Sequence, residues 1–269
     1  MGLELDGATR AFTFLRQGDV LPAVTTGQVL MRRHGRGATI TCDGQFGPRT
    51  RAAVAGYQGG RGLVADGVIG PKTWNSLMAV SGFQTIDLVD GTDPSLITYE
   101  AKDIRDAGGD PIIVYGQSNG LLFAMSQIAS RAQTGKVMLL RIHGHGGKGV
   151  QNVTGGEING APHMASISLD RFEESAMALL MIRRIFVGFG CVQLLGCNVG
   201  GGPKGKELVG KLARTWGVPV TAGIQTQFAG GSQTFRFEGP TVSGFPNGMD
   251  LASWSASAET MFGNVSMAA

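Results

Sequence analysis

VMLLRIHGHGG, residues 137–147, and CVQLLGCNVGGG, residues 191–202, decide how this chain folds. Each is an apolar run of strand length that ends in a polar, glycine-rich turn. The first turn displays an imidazole and the second a thiol. Continuous apolar runs bounded by turn signals suit strands of a parallel sheet that is covered on both faces. In such sheets ligands gather at the carboxyl ends of the strands, and both polar turns lie there. A His and a Cys delivered by two strand ends supply the machinery of thiolate catalysis: the imidazole manages the proton and the sulfur attacks a carbonyl.

The flanking sequence extends the pattern. PIIVYGQ (111–117) and VPVTAG (218–223) read as further strands, and LLFAMSQIASRAQ (121–133), RFEESAMALLMIRRIF (171–186) and KGKELVGKLARTWG (204–217) have helical periodicity. Gly217 stands where a C-terminal helix cap is expected. Strand and helix alternate, which predicts an α/β domain over residues 81–269, a mostly parallel sheet with helices on both faces. The tail from 224 onward is rich in Gly, Ser and Thr, and GGSQTFRFEG (230–239) reads as a hairpin.

Residues 1–80 follow a different rule. DGQFGPRT (43–50) recurs as DGVIGPKT (66–73). Each copy is an Asp-Gly turn, an apolar anchor (Phe46 or Ile69), and Gly-Pro opening a helix, where the missing proline N–H would have no partner anyway. With a further helix around Thr26–His34, this predicts a small all-α three-helix domain. The stretch GQFGPRTRAAVAGYQGGRGLVADGVIGPKTWNSL (44–77) resembles the bacterial peptidoglycan-binding domain of the three-helix type, with its repeated turn and closing Trp. The resemblance implies peptidoglycan as a partner, with contacts placed at Asp43, Phe46, Asp66 and Trp74.

Composition sets the outer limits. The chain has 269 residues, room for one large or two modest domains, and its mean hydropathy of +0.08 is that of a packed protein. No apolar run reaches the roughly 18–20 residues of a membrane span, and AFTFL, between Arg10 and Arg16, is too short for a secretory leader. Export is therefore expected by a route without a leader, or with a leader missing from this chain. Three cysteines, Cys42, Cys191 and Cys197, form neither a zinc spacing nor a disulfide framework. The first 80 residues carry a net charge of +4 and the rest −1, a basic module suited to an anionic polymer such as wall material. Nucleic acid is not taken as a partner.

Residues 137–223 resemble the caspase-like (clan CD) cysteine peptidases through His145-Gly146-Gly147-Lys148-Gly149 and LLGCNVG (194–200). The His precedes the Cys by about 50 residues, the caspase order and spacing; papain-like wall hydrolases have the Cys first. The resemblance implies a three-layer αβα sandwich with Cys197 as nucleophile, His145 as the proton-transfer group, and the N–H groups of Gly146 and Cys197 as oxyanion donors. His143 also precedes a Gly. It reads as a group hydrogen-bonded beside the substrate, or as half of a His-x-His zinc pair with His163 as a distant third ligand. Leu195, two before the nucleophile, lines the specificity pocket in this family, with Gln225 and Gln227 as further walls. An apolar Leu there predicts a neutral residue before the scissile bond. A third, orienting carboxylate is not identifiable.

The leading function is a bacterial cysteine endopeptidase held at the wall, in the periplasm or outside the cell, and exported to act on other cells. It takes a protein or peptide substrate and no cofactor. The alternatives are a non-catalytic peptidoglycan-binding scaffold and a hydrolase of peptidoglycan peptides.

Overall fold

The computed structural model describes residues 15–34, 40–116, 119–154, 165–230 and 234–264. It opens on three helices, α1 (Pro22–Arg33), α2 (Pro48–Gly60) and α3 (Pro71–Ser81). Each has proline in its first turn, and α3 ends on Gly82 in the left-handed conformation.

The repeat is built around two buried amides. The Gln28 side chain donates to Asp43 Oδ1 (2.9 Å), Gln45 O (3.0 Å) and Thr50 Oγ1 (3.2 Å), and accepts from Gly44 N–H (3.0 Å). The Gln58 side chain donates to Asp66 Oδ1 (2.9 Å), Val68 O (2.8 Å) and Thr73 Oγ1 (3.1 Å), and accepts from Gly67 N–H (2.9 Å). Asp43 and Asp66 also accept the backbone N–H two residues on, from Gln45 and Val68. Both carboxylates are thus turn-builders. Phe46 and Trp74, expected to touch the wall directly, are core residues, 2% and 6% exposed. The aromatic anchors hold the turns from beneath, which corrects that part of the sequence reading.

The α/β part begins with β1 (Gln84–Asp90), followed by α4 (Pro94–Leu96), a π turn over 97–101, and α5 (Lys102–Asp106). Then come β2 (Ile112–Val114), α6 (Gly120–Arg131), β3 (Val137–His143), and three short strands, β4 (Gly146–Gly147), β5 (Val150–Asn152) and β6 (Ser166–Ser168). The chain continues through α7 (Phe172–Leu180), β7 (Phe186–Leu194), α8 (Gly202–Trp216), β8 (Val220–Gly223), β9 (Thr241–Gly244) and α9 (Leu251–Asn264). The main sheet has the order β2-β1-β3-β7-β8-β9, with every pair parallel except β8–β9. β4, β5 and β6 form a separate antiparallel sheet. Gly217 caps α8 in the left-handed conformation, as expected.

Two expectations shift. The strand read within 191–202 is β7, which starts at Phe186 and stops at Leu194, so α7 is shorter than the helix read over 171–186. No hairpin forms from the described part of 230–239; residues 234–235 make a short 3-10 turn, and Phe235 and Phe237 are buried. The strand that does follow, β9, pairs with β8 and closes the sheet edge.

One sheet face, with Leu88, Ile142, Leu194 and Ala222, packs against α6, α7 and α8. The other face is covered by the N-terminal helices together with α9 and the segment 94–106. α1 lies on β7 and beside α9, and a single buried cluster runs from Val29, Phe46 and Trp74 to Leu139, Phe189 and Cys191 of the sheet. Thr26 Oγ1 donates to Phe189 O (2.8 Å), and Thr25 pairs with Ser255 (2.7 Å). Every residue from Pro22 to Met31 is buried, the signature of a helix enclosed on all sides.

Candidate active site

β3 and β7 are adjacent and parallel, pairing from Val137 opposite Phe186 to Ile142 opposite Leu194. Their polar turns therefore emerge side by side. The backbones touch. A Cβ on Gly196 would lie 3.0 Å from Gly144 O and 3.0 Å from His145 O, and one on Gly146 would lie 3.0 Å from Cys197 O. Glycine is required at both positions because the chains approach too closely for a side chain. Gln151, fully buried on β5, stitches the turns together. Its Oε1 accepts from Gly196 N–H (2.9 Å) and its Nε2 donates to Asn152 O (2.9 Å).

Cys197 begins the strand-to-helix turn that leads into α8. Asn198, the next residue, has φ +58°, and its N–H donates to Gln225 O (2.8 Å). A non-glycine residue in the left-handed region is uncommon, and Asn tolerates it better than most. The sharp turn leaves the thiol half-buried at the surface, whereas Cys42 and Cys191 are buried. Burial pushes the Cys191 thiol up to about 12 and raises that of Cys42. Neither is suited to form a thiolate near neutral pH. The Cys197 N–H makes no hydrogen bond among the described residues, leaving it free to serve as an oxyanion donor. Cys197 Sγ donates to Gln227 O (3.2 Å) and accepts from Gln227 N–H (3.3 Å). The loop carrying Gln227 is clamped in turn, since the Gln227 side chain bonds both O and N–H of Glu238 and Phe228 N–H donates to Glu238 Oε2. Gln225 is exposed and lines a shallow depression with Asn198, Thr226, Phe228, Glu238 and Gly239.

His145 projects into solvent and pairs through Nε2 with Asp93 Oδ2 at 2.7 Å. Asp93 caps α4 through Ser95 N–H (2.7 Å), and Ser95 together with His145 holds its carboxyl below the usual carboxylate range. The sequence did not disclose this carboxylate on the imidazole. Its local signal, Asp-Pro-Ser, reads only as a helix cap. Beneath this pair lies Asp90, fully buried, with Oδ1 taken by Thr92 and Oδ2 without a partner; burial raises its carboxyl.

Two residues expected to meet substrate do not reach it. β3 ends at His143 and the chain then turns, so strand alternation does not carry through to His145. His143 is 0% exposed, with Nδ1 on Glu100 Oε2 (2.7 Å) and Nε2 on Asp87 Oδ1 (3.2 Å). Both ring nitrogens are engaged, so it forms no zinc pair with His145. Asp87 also binds Arg141. Burial disfavours charge on every member, but Arg141 and His143 outweigh it and hold Asp87 well below the carboxylate range, while Glu100 and Asp87 raise His143. Leu195 is 7% exposed, and its N–H donates to Ile142 O, so it belongs to the sheet and not to an open pocket. His163 lies outside the described residues. Among the described residues no cluster of three or more His, Cys, Asp or Glu is placed to hold a metal ion, and no helix is long and apolar enough to cross a membrane.

The family match falls in the helical part. Residues 21–77 match the family described as "Putative peptidoglycan binding domain". A 74-residue stretch, 27% of this chain and 29% of the relative, is 42% identical to the zinc D-Ala-D-Ala carboxypeptidase of Streptomyces albus G. A stretch of 35 residues, 13% of this chain and 30% of the relative, is 54% identical to an uncharacterized protein of Kitasatospora aureofaciens. A peptidoglycan-binding protein of Clostridioides difficile, solved with glutamine hydroxamate, is 33% identical over 27% of this chain and 42% of that one, with a TM-score of 0.23. The matched stretches span less than a third of the two sequence relatives. The chain thus combines an N-terminal peptidoglycan-binding domain with a mostly parallel α/β domain. The wall-binding match gives it a cell-wall context.

Proposed function

We propose that this chain is a cysteine peptidase of caspase-like type, held at the cell wall by its helical domain. The observation that carries the reading is the contact of the His145 and Cys197 turns at the ends of adjacent central strands, with Asp93 on the imidazole. His145 takes the Cys197 thiol proton as Sγ attacks the substrate carbonyl carbon, and the negative charge that develops on oxygen faces the Cys197 and Gly146 N–H groups. As the C–N bond breaks, His145 delivers a proton to the leaving amine and a thioester remains on Cys197. His145 then takes a proton from water, whose hydroxyl attacks the thioester carbonyl and releases the acid and the thiol. Peptides of wall-associated proteins and stem peptides of peptidoglycan are both substrates within reach of a wall-bound enzyme. Export to act on other cells belongs to the same reading.

The hydrogen bonds between Gln227 and Cys197 favour a second reading, a wall-binding protein whose thiol is closed off. Iodoacetamide labelling with peptide mapping separates the two. Modification of Cys197 well before Cys42 and Cys191, with cleavage of a peptide library lost in Cys197→Ala and His145→Ala, supports the peptidase. Cleavage retained in Cys197→Ala refutes it. Released peptides from purified sacculi would assign the substrate to the wall itself.

A further inference from the structure

A row of polar residues crosses the sheet face that meets the helical domain. Asp87, Arg141, Gln193, Thr221 and Ser243 stand in register on five neighbouring strands. Four of them are satisfied within the row, Asp87 by Arg141 and Thr221 by Ser243. Gln193 is the exception. It is 6% exposed, next to the last residue of β7, and its amide has no hydrogen-bond partner among the described residues. The amide is not sealed in the core but borders a cavity, where water or a ligand can pair with it.

Gln193 opens onto a cavity of about 300 Å³ at the seam between the two domains. Leu15, Leu21, Phe235, Phe237 and Pro240 supply apolar walls, and the cavity reaches solvent at Val20, which is 58% exposed. Arg236 also lines it, half-buried and without an ion-pair partner among the described residues. Asp19, on the rim, is turned to its own backbone, accepting from Arg16 N–H (2.8 Å). An unpaired guanidinium, an unpaired amide with one donor group and one acceptor, and small apolar walls together describe one ligand chemistry.

We infer that this cavity binds the carboxyl-terminal end of a short peptide of small residues. Arg236 takes the terminal carboxylate, the Gln193 amide pairs with a peptide N–H and C=O, and the apolar walls take the methyl groups. The site is separate from Cys197 and does not require that thiol to be catalytic. Such an end is offered both by peptidoglycan stem peptides and by ordinary polypeptide fragments.

The test uses the full chain carrying Cys197→Ala, so that nothing is cleaved. N-acetyl-D-Ala-D-Ala, N-acetyl-L-Ala-L-Ala and the carboxamide of each are titrated by calorimetry. At least one acid is expected to saturate below millimolar concentration, with its carboxamide weaker by about tenfold or more, since charge-assisted bonds are about twice as strong as neutral ones. Arg236→Gln should cost the acid about the same factor and leave the carboxamide unchanged, while Gln193→Leu weakens both. Preference for the D-peptide assigns the site to wall stems; preference for the L-peptide assigns it to polypeptide ends. Acids and carboxamides that bind alike, or no saturation by any of the four, overturn the inference without need of a variant.

Discussion

Asp93 holds His145 through Nε2. The pair is solvent-exposed, so its worth to stability is small; in the proposed peptidase its role is orientation, with the other ring nitrogen left for the substrate. Asp93→Asn keeps the cap of α4 but removes the charge. It should lower kcat by about tenfold to a hundredfold, a part of what positioned proton transfer supplies, with KM and melting temperature little changed. Steady-state kinetics beside a thermal melt check this. The buried Asp87–Arg141–His143–Glu100 cluster works oppositely, contributing to stability and not to chemistry. His143 has a folded-state value raised above 6.5, so its contribution is complete below 6.5 and is lost as pH rises through the folded value. Asp87, held below 3.8, contributes above 3.8 and loses that as pH falls through its own folded value. Denaturant midpoints measured across pH should therefore decline on both flanks. His143→Leu should remove the alkaline decline and cost about 3–5 kcal/mol, because Glu100 is left buried without its partner.

At the scale of elements, each wall-domain turn depends on one glutamine. Gln58→Leu preserves volume but leaves Gly67 N–H without its acceptor and takes a donor from Asp66 Oδ1 and Val68 O, and should cost about 2–4 kcal/mol. Gln28→Leu should do the same around Asp43 and Gly44. Urea titration of each single variant would show this, and a loss below about 0.5 kcal/mol would mean water replaces the amide. The Cys197 turn is built from a different kind of constraint. Gly146 and Gly196 let two backbones meet, while Asn198 accepts a left-handed conformation as the chain turns into α8. Asn198→Gly should leave stability within about 0.5 kcal/mol of the parent, whereas Asn198→Val should lose about 1–2 kcal/mol. Thermal melts of the two variants would check that contrast.

At the scale of the molecule, the wall-binding helices double as the outer layer of the sheet. α1 is enclosed between the repeat module and β7, and Cys42 and Cys191 belong to one buried cluster although they come from the two parts of the chain. Residues 15–81 alone would expose the α1 face that carries Thr25 and Thr26. The isolated module should melt roughly 10 °C or more below the full chain and bind a hydrophobic dye, as calorimetry and fluorescence would show. Much of the strand and helix pattern, the parallel sheet, the helical repeat and the two polar turns were legible in the sequence, whereas β1, β9 and α9 were not. Each legible part rests on local periodicity, turn chemistry or burial on both faces, which neighbouring residues along the chain express by themselves. Tertiary structure alone decided which carboxylate meets His145, that His143 and Leu195 are buried, and that Gln28, Gln58 and Gln151 hold the turns. These depend on side chains brought together from 8 to 22 positions apart around Gln28 and Gln58, from 43 to 56 in the His143 pairs, or from separate sheets at Gln151. No local pattern encodes such meetings, because what selects them is the cost of leaving a buried polar group unpaired once the chain has closed around it.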